Sequence, residues 1–131
     1  MELYYRADVC VVPSIWDEPL GLVVLEAMAT KTPVVVTRKG GIPLMVKDGA
    51  NGLFVRPRNA KEIAEKVNIL LANDGLRKKM GEKARQTVIE KFTWDKISHR
   101  FELIYHEFRK REKVPVNAGP LDDLVNKIFK K

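Results

Sequence analysis

The chain has 131 residues, enough for one domain with one core. Its 45% hydrophobic and 31% charged residues are ordinary for a globular protein, and no apolar run approaches the roughly 20 residues of a membrane span. The single cysteine, Cys10, excludes an intrachain disulfide framework, and its place in an apolar run predicts a buried thiol.

The net charge of +7 is unevenly placed: residues 1–76 carry nine Lys/Arg against nine Asp/Glu, and residues 77–131 carry fifteen against eight. Interspersed acids in this helix-rich region read as a solvated face, against nucleic-acid binding and against contact with a membrane surface. The first residues, Met-Glu-Leu-Tyr-Tyr-Arg, lack a signal-peptide apolar stretch, so cytoplasmic residence is expected.

In chain order, residues 1–6 read as the end of a helix. The apolar run Val9–Val12, closed by Pro13-Ser14, predicts a strand buried on both faces, as in a parallel sheet. A loop containing Pro19 and Gly21 follows, then a helix from about Leu20 to Ala29 that is apolar almost all round and is expected to be buried on most sides. Pro33 to Thr37 reads as a second strand, with Pro33 at its entry, where the missing N–H does least harm. Gly40-Gly41-Ile42-Pro43 reads as a tight loop leading into one helical turn. Asp48-Gly49 and Asn51-Gly52 are turn signals before a third strand, Gly52 to Val55.

Asn59 and Glu62 predict a helix N-cap with its reciprocal partner. The helix behind them is expected to bury Ile63, Val67, Leu70 and Leu71. Asp74 begins another helix, through about Glu90. Thr93 caps the next, with Trp94, Ile97, Phe101, Ile104, Tyr105 and Phe108 on one stripe. Residues 114–120 read as a linker after a domain over 1–113, and 121–131 as a last amphipathic helix. The pattern predicts an α/β fold with a small three-stranded parallel sheet flanked by helices and a helical C-terminal region.

The segment from Pro13 to Ala29 carries the chemistry. Ligands of parallel α/β sheets bind outside the carboxyl ends of the strands. Gly21 lets a ligand approach the backbone, and the first free N–H groups of the following helix suit an anion such as a diphosphate. Glu26 lies about 7–8 Å along the helix axis from Gly21, which suits a carboxylate accepting from two sugar hydroxyls beside that phosphate. Glu18, before the helix, suits a second sugar on the other side. Trp16 reads as loop packing in preference to stacking on a base or sugar. His99 and His106 read as surface residues, without the neighbours a metal site needs.

Glu18 and Glu26, eight positions apart around Pro19-Leu20-Gly21-Leu22, resemble the paired-glutamate motif of retaining glycosyltransferases with two Rossmann-like domains, the GT-B class. The likeness continues through Thr32-Pro33-Val34-Val35, Gly40-Gly41-Ile42-Pro43 and the stretch from Asp48 to Val55, and reaches about Phe108. It implies the glycosyltransferase group 1, or glycogen-synthase-like, family and a partial Rossmann-like nucleotide-sugar domain.

The resemblance also implies roles. Glu26 holds the ribose hydroxyls. Glu18 is the catalytic-site glutamate on the donor sugar. Leu20 and Gly21 offer backbone N–H groups to that sugar, and Leu22 and Val23 offer theirs to the diphosphate. A nucleoside-diphosphate sugar is the implied donor for transfer to an acceptor hydroxyl with retained configuration; no metal and no further cofactor are implied.

Family members carry an acceptor domain and a first half of the donor domain, including a basic pair whose place Arg38 and Lys39 do not match. The expectation is a donor-binding portion that is inactive alone and works with the missing upstream half. The alternative is a non-catalytic module that self-associates, as a homodimer, through the open edge at Val9–Val12.

Overall fold

The computed structural model describes residues 2–110 in backbone, and side chains through residue 108. The expected linker at 114–120 and helix at 121–131 lie outside the described residues. The chain divides into two compact units, Met1–Ile97 and Ser98–Lys131.

The first unit holds helix α1 (Glu2–Arg6), strand β1 (Cys10–Val12), α2 (Leu22–Ala29), β2 (Val34–Thr37), α3 (Ile42–Met45), β3 (Leu53–Val55), α4 (Ala60–Leu71) and α5 (Asp74–Lys91). Helix α6 (Trp94–Lys110) begins in it and continues into the second unit. The three strands form one parallel sheet in the order β1-β2-β3, with Cys10 opposite Val34 and Val35 opposite Leu53.

Alternation along the strands divides the core in two. Val34, Val36 and Phe54 face α2, Ile42 and Met45 on one side, while Val35, Leu53 and Val55 face Leu70 of α4 and Met80 of α5 on the other. Strands β2, flanked by both neighbours, and β3 are buried at every residue. Strand β1 corrects the sequence expectation. It lies at the sheet edge away from α4, which packs on β2 and β3, so Val11 is exposed and Cys10 is half-buried, although partial burial still pushes the Cys10 thiol above its ordinary pKa.

Helix α2 begins at Leu22, two residues later than the apolar pattern suggests. Gly21 is its N-cap in the left-handed region, φ 78°, so Leu20 stays outside the helix. Nor is α2 buried on most sides. Val24, Leu25, Ala27 and Met28 face the core, and Leu22, Val23 and Glu26 are exposed. Its C-terminus is closed by a Schellman pair, Thr32 N–H to Ala27 C=O at 3.0 Å and Lys31 N–H to Met28 C=O at 3.1 Å, with Lys31 at φ 63° where glycine is usual.

The caps at Asn59 and Asn73 form through their side chains, accepting from Glu62 N–H and Leu76 N–H. Glu62 is not a reciprocal partner of the Asn59 backbone. Its carboxylate accepts from the N–H and Nε of Arg56 and from Asn59 Nδ2, and the Arg56 bonds hold it below the ordinary pKa. In α4 only Leu70 of the expected stripe is fully buried. Ile63 and Val67 are half-buried and Leu71 turns outward, because the step of about 100° from the buried Leu70 carries it off the core-facing side. On α6, Ile97 and Ile104 are half-buried, and Trp94, Phe101, Tyr105 and Phe108 are exposed. Among the described residues no helix is long and apolar enough to cross a membrane.

Candidate functional site

Two loops leave the carboxyl ends of β1 and β2 and are tied to each other. Thr37 Oγ1 donates to the Ser14 carbonyl at 2.7 Å, Gly41 N–H to the Glu18 carbonyl at 2.8 Å, and Gly40 N–H to Asp17 Oδ1 at 3.2 Å. Lys39 Nζ adds an ion pair to Asp17 at 3.7 Å. The approach is close enough to require glycine. A Cβ on Gly40, whose φ is +49°, would sit 2.0 Å from the Glu18 carbonyl oxygen, and one on Gly41 would sit 2.5 Å from that of Pro19. The backbone of Glu18-Pro19-Leu20 is thus seated on two adjacent glycines and delivers the chain to Gly21.

From Gly21 the helix begins with free donors. Val24 N–H and Leu25 N–H both turn to the Gly21 carbonyl, at 2.9 and 3.4 Å. Among the described residues no hydrogen bond uses the N–H of Leu22 or Val23, and no side chain caps this end. Both residues are exposed, so their amides and the positive end of the helix dipole meet solvent outside the sheet's carboxyl edge.

The two glutamates flank this end, and each is held by one carboxylate oxygen. Glu18 Oε1 accepts from Trp16 Nε1 at 2.6 Å and from Ser14 Oγ at 2.8 Å. The indole bond first and the hydroxyl bond second lower the Glu18 pKa below the ordinary carboxylate value, so it is an anion near neutral pH. Glu26 Oε2 accepts from the Tyr4 phenol at 3.1 Å. Desolvation, then the bond to Glu26 and its charge, raises the Tyr4 pKa and keeps the phenol a donor. Glu26 is therefore not embedded among apolar groups, as its neighbours in sequence suggest. It stands on the solvent side of α2, four residues after Leu22 and three after Val23.

The structure thus brings Glu18, Leu20, Gly21, Leu22 and Val23 into one continuous loop-to-helix segment with Glu26 on the next turn. Trp16 corrects the packing expectation: it is 68% exposed, and its anchor is the polar N–H. Tyr4, Ser14 and Trp16 carry no periodic signal. Tyr4 lies 22 positions from its partner, and the loop contacts depend on turns that apolar spacing does not encode. His99 is exposed and pairs with Glu102 at 3.7 Å when protonated.

A separate open groove of about 520 Å3 lies beside α3 and the end of α5, lined by Arg38, Lys47, Asn51, Thr87 and Lys91 among others. Arg38 does not reach toward the glutamates; its guanidinium lies over the Phe54 ring at 4.1 Å.

Comparison with known proteins bears on this arrangement. Residues 1–87 match the family model described as Glycosyl transferases group 1. The chain is 42% identical over 104 residues to an uncharacterised glycosyltransferase of Methanocaldococcus jannaschii, a match covering 79% of this chain and 26% of that protein. Among solved structures, sucrose-phosphate synthase from Thermosynechococcus elongatus superposes with a TM-score of 0.79 at 34% identity, over 84% of this chain and 27% of that one. A mutant of TarM from S. aureus, in complex with fondaparinux, alpha-GlcNAc-glycerol and UDP, superposes with a TM-score of 0.72 at 29% identity, over 79% of this chain and 21% of that one. The chain spans about a quarter of the length of the curated relatives it matches.

Proposed function

The chain belongs to the glycosyl transferases group 1, and on that premise we propose that the loop from Ser14 to Gly21 and the N-terminus of α2 form the donor site for a nucleoside-diphosphate sugar. The observation that carries this reading is the pair of unused N–H groups at Leu22 and Val23, flanked by two carboxylates that each keep an oxygen for a ligand. The amides take the diphosphate, Glu26 Oε1 accepts from ribose hydroxyls, and Glu18 Oε2 accepts from the donor sugar. The presence of UDP in the related TarM complex supports a uridine nucleotide as the first to try.

In this reading the chain supplies the donor side of glycosyl transfer to an acceptor hydroxyl with retained configuration. The bond between the sugar's anomeric carbon and the diphosphate breaks. The electron pair leaves with the diphosphate, whose growing charge is met by the Leu22 and Val23 amides and the helix dipole. The acceptor oxygen forms the new bond and gives its proton to the departing diphosphate. Transfer by the isolated chain is not expected, since catalysis depends on holding acceptor and donor together.

The test separates ribose from phosphate. Glu26→Ala is expected to weaken UDP binding about tenfold, the worth of hydrogen bonds to a charged group, while changing pyrophosphate binding less than about twofold. Titration of both ligands against both proteins decides it, and equal weakening of the two would remove Glu26 from the ribose.

A further inference from the structure

We propose that Trp16 and Ser14 are positioning residues for the donor sugar: they clamp Oε1 of Glu18 and so aim Oε2 as a fixed hydrogen-bond acceptor for sugar hydroxyls. The proposal rests on the donor-site reading above and extends it to side chains outside the paired glutamates.

The geometry is specific. Both donors converge on the same oxygen, at 2.6 and 2.8 Å, from positions two and four residues upstream. An unclamped glutamate in an exposed loop samples many rotamers, and a ligand must then bear the cost of ordering it. Here that ordering precedes the ligand. The backbone beneath is equally fixed, because the Glu18 carbonyl accepts from Gly41 N–H and rests on Gly40, while Ser14 is tied through its own carbonyl to Thr37.

The side chain of Glu18 is thus set from two directions, by its backbone seat and by its carboxylate clamp. With Oε1 fully engaged, the remaining oxygen offers only acceptance. It therefore suits a neutral sugar presenting hydroxyl donors. Trp16 is exposed in spite of its large apolar ring, which is otherwise costly to leave in water. A polar anchor to the loop's one glutamate accounts for that position, where packing does not.

The two roles of a clamp, aiming the carboxylate and keeping it ionised, share a readout in the Trp16 indole N–H. Its NMR resonance should lie downfield of that of Trp94, the only other tryptophan. It should hold that position as pH falls through the ordinary carboxylate range and move only below it, the direction set by the lowered Glu18 pKa. In Glu18→Gln the pH-dependent movement should vanish.

The decisive experiment is a ratio of affinities, measured by NMR titration of the full chain. Whichever of UDP, GDP and ADP binds is compared with its glucose ester. In the wild type the ester should bind more tightly than the diphosphate. Trp16→Phe and Ser14→Ala should each lower that ratio, by about tenfold for the indole bond to a charged acceptor, and Ser14→Thr should restore it. General damage to the fold weakens both ligands and leaves the ratio unchanged. A ratio unaltered in both variants, with the diphosphate still bound, overturns the clamp alone. Failure of all three diphosphates to bind overturns the donor-site reading and the proposal with it.

Discussion

Replacing Gly81 by alanine is expected to destabilise the first unit by about 3 kcal/mol, the upper part of the range for overpacking a filled interior. The reason is a helix-to-loop contact with no slack. Gly81 is buried in α5, and a Cβ built on it would lie 2.0 Å from the Lys31 carbonyl oxygen and 2.9 Å from its carbon. Those are backbone atoms, held in turn by the Schellman closure of α2, and cannot swing aside as a side chain end can. Helix α5 must move off α2, which also strains the bond from Arg85 Nη1 to the Ala29 carbonyl.

The same helix supplies the control. A Cβ on Gly75 meets only Asn73 Oδ1, at 3.5 Å, which is ordinary contact. Gly75→Ala should therefore be neutral or stabilise by up to about 1 kcal/mol through helix propensity. Urea unfolding of the two variants checks the pair; a similar loss in both would mean that the α2–α5 approach is not the constraint.

Gly40→Ala is expected to act on the site more than on the fold. Its Cβ would meet the Glu18 oxygen at 2.0 Å and the Glu18 nitrogen at 2.6 Å, and its φ of +49° adds conformational strain. The loop carrying Glu18 must lift, breaking the seat that places Leu20 and Gly21 at the start of α2. The stability loss should be about 2 kcal/mol, and binding of the glucose ester should fall at least as far as in Glu18→Ala. Gly49→Ala separates strain from collision, because Gly49 has φ +70° with nothing within 4 Å of its Cβ. It should cost only the left-handed penalty, about 1 kcal/mol, with ligand binding intact. Comparing the two variants by urea unfolding and ligand titration decides whether the seat matters.

Much of this was legible in the sequence because local chemistry and tertiary role agree. Pro13, Pro33 and Pro57 bound the strand segments. Asn59 sits where a helix start needs a side-chain acceptor, and the paired glutamates with Gly21 single out the candidate segment. What escaped depends on pairwise approach. Apolar composition cannot tell which side of α2 is covered, because its residues are nearly uniform while the sheet and α5 leave buried only Val24, Leu25, Ala27 and Met28. Strand β1 reads like β2 by composition and differs in lying at the sheet edge away from α4. Gly81 looks like a helix defect in sequence and is a contact in three dimensions. Tyr4 is joined to Glu26 by the fold, and no spacing rule links positions so far apart.

The most direct test of the central claim is the map of backbone amide shifts as UDP is added to an isotope-labelled chain. A donor site at the start of α2 predicts the largest changes at Gly21, Leu22 and Val23, whose N–H groups await an acceptor, with Glu18 and Glu26 next to them. Changes centred instead on Lys47, Thr87 and Lys91, around the separate basic groove, would contradict it.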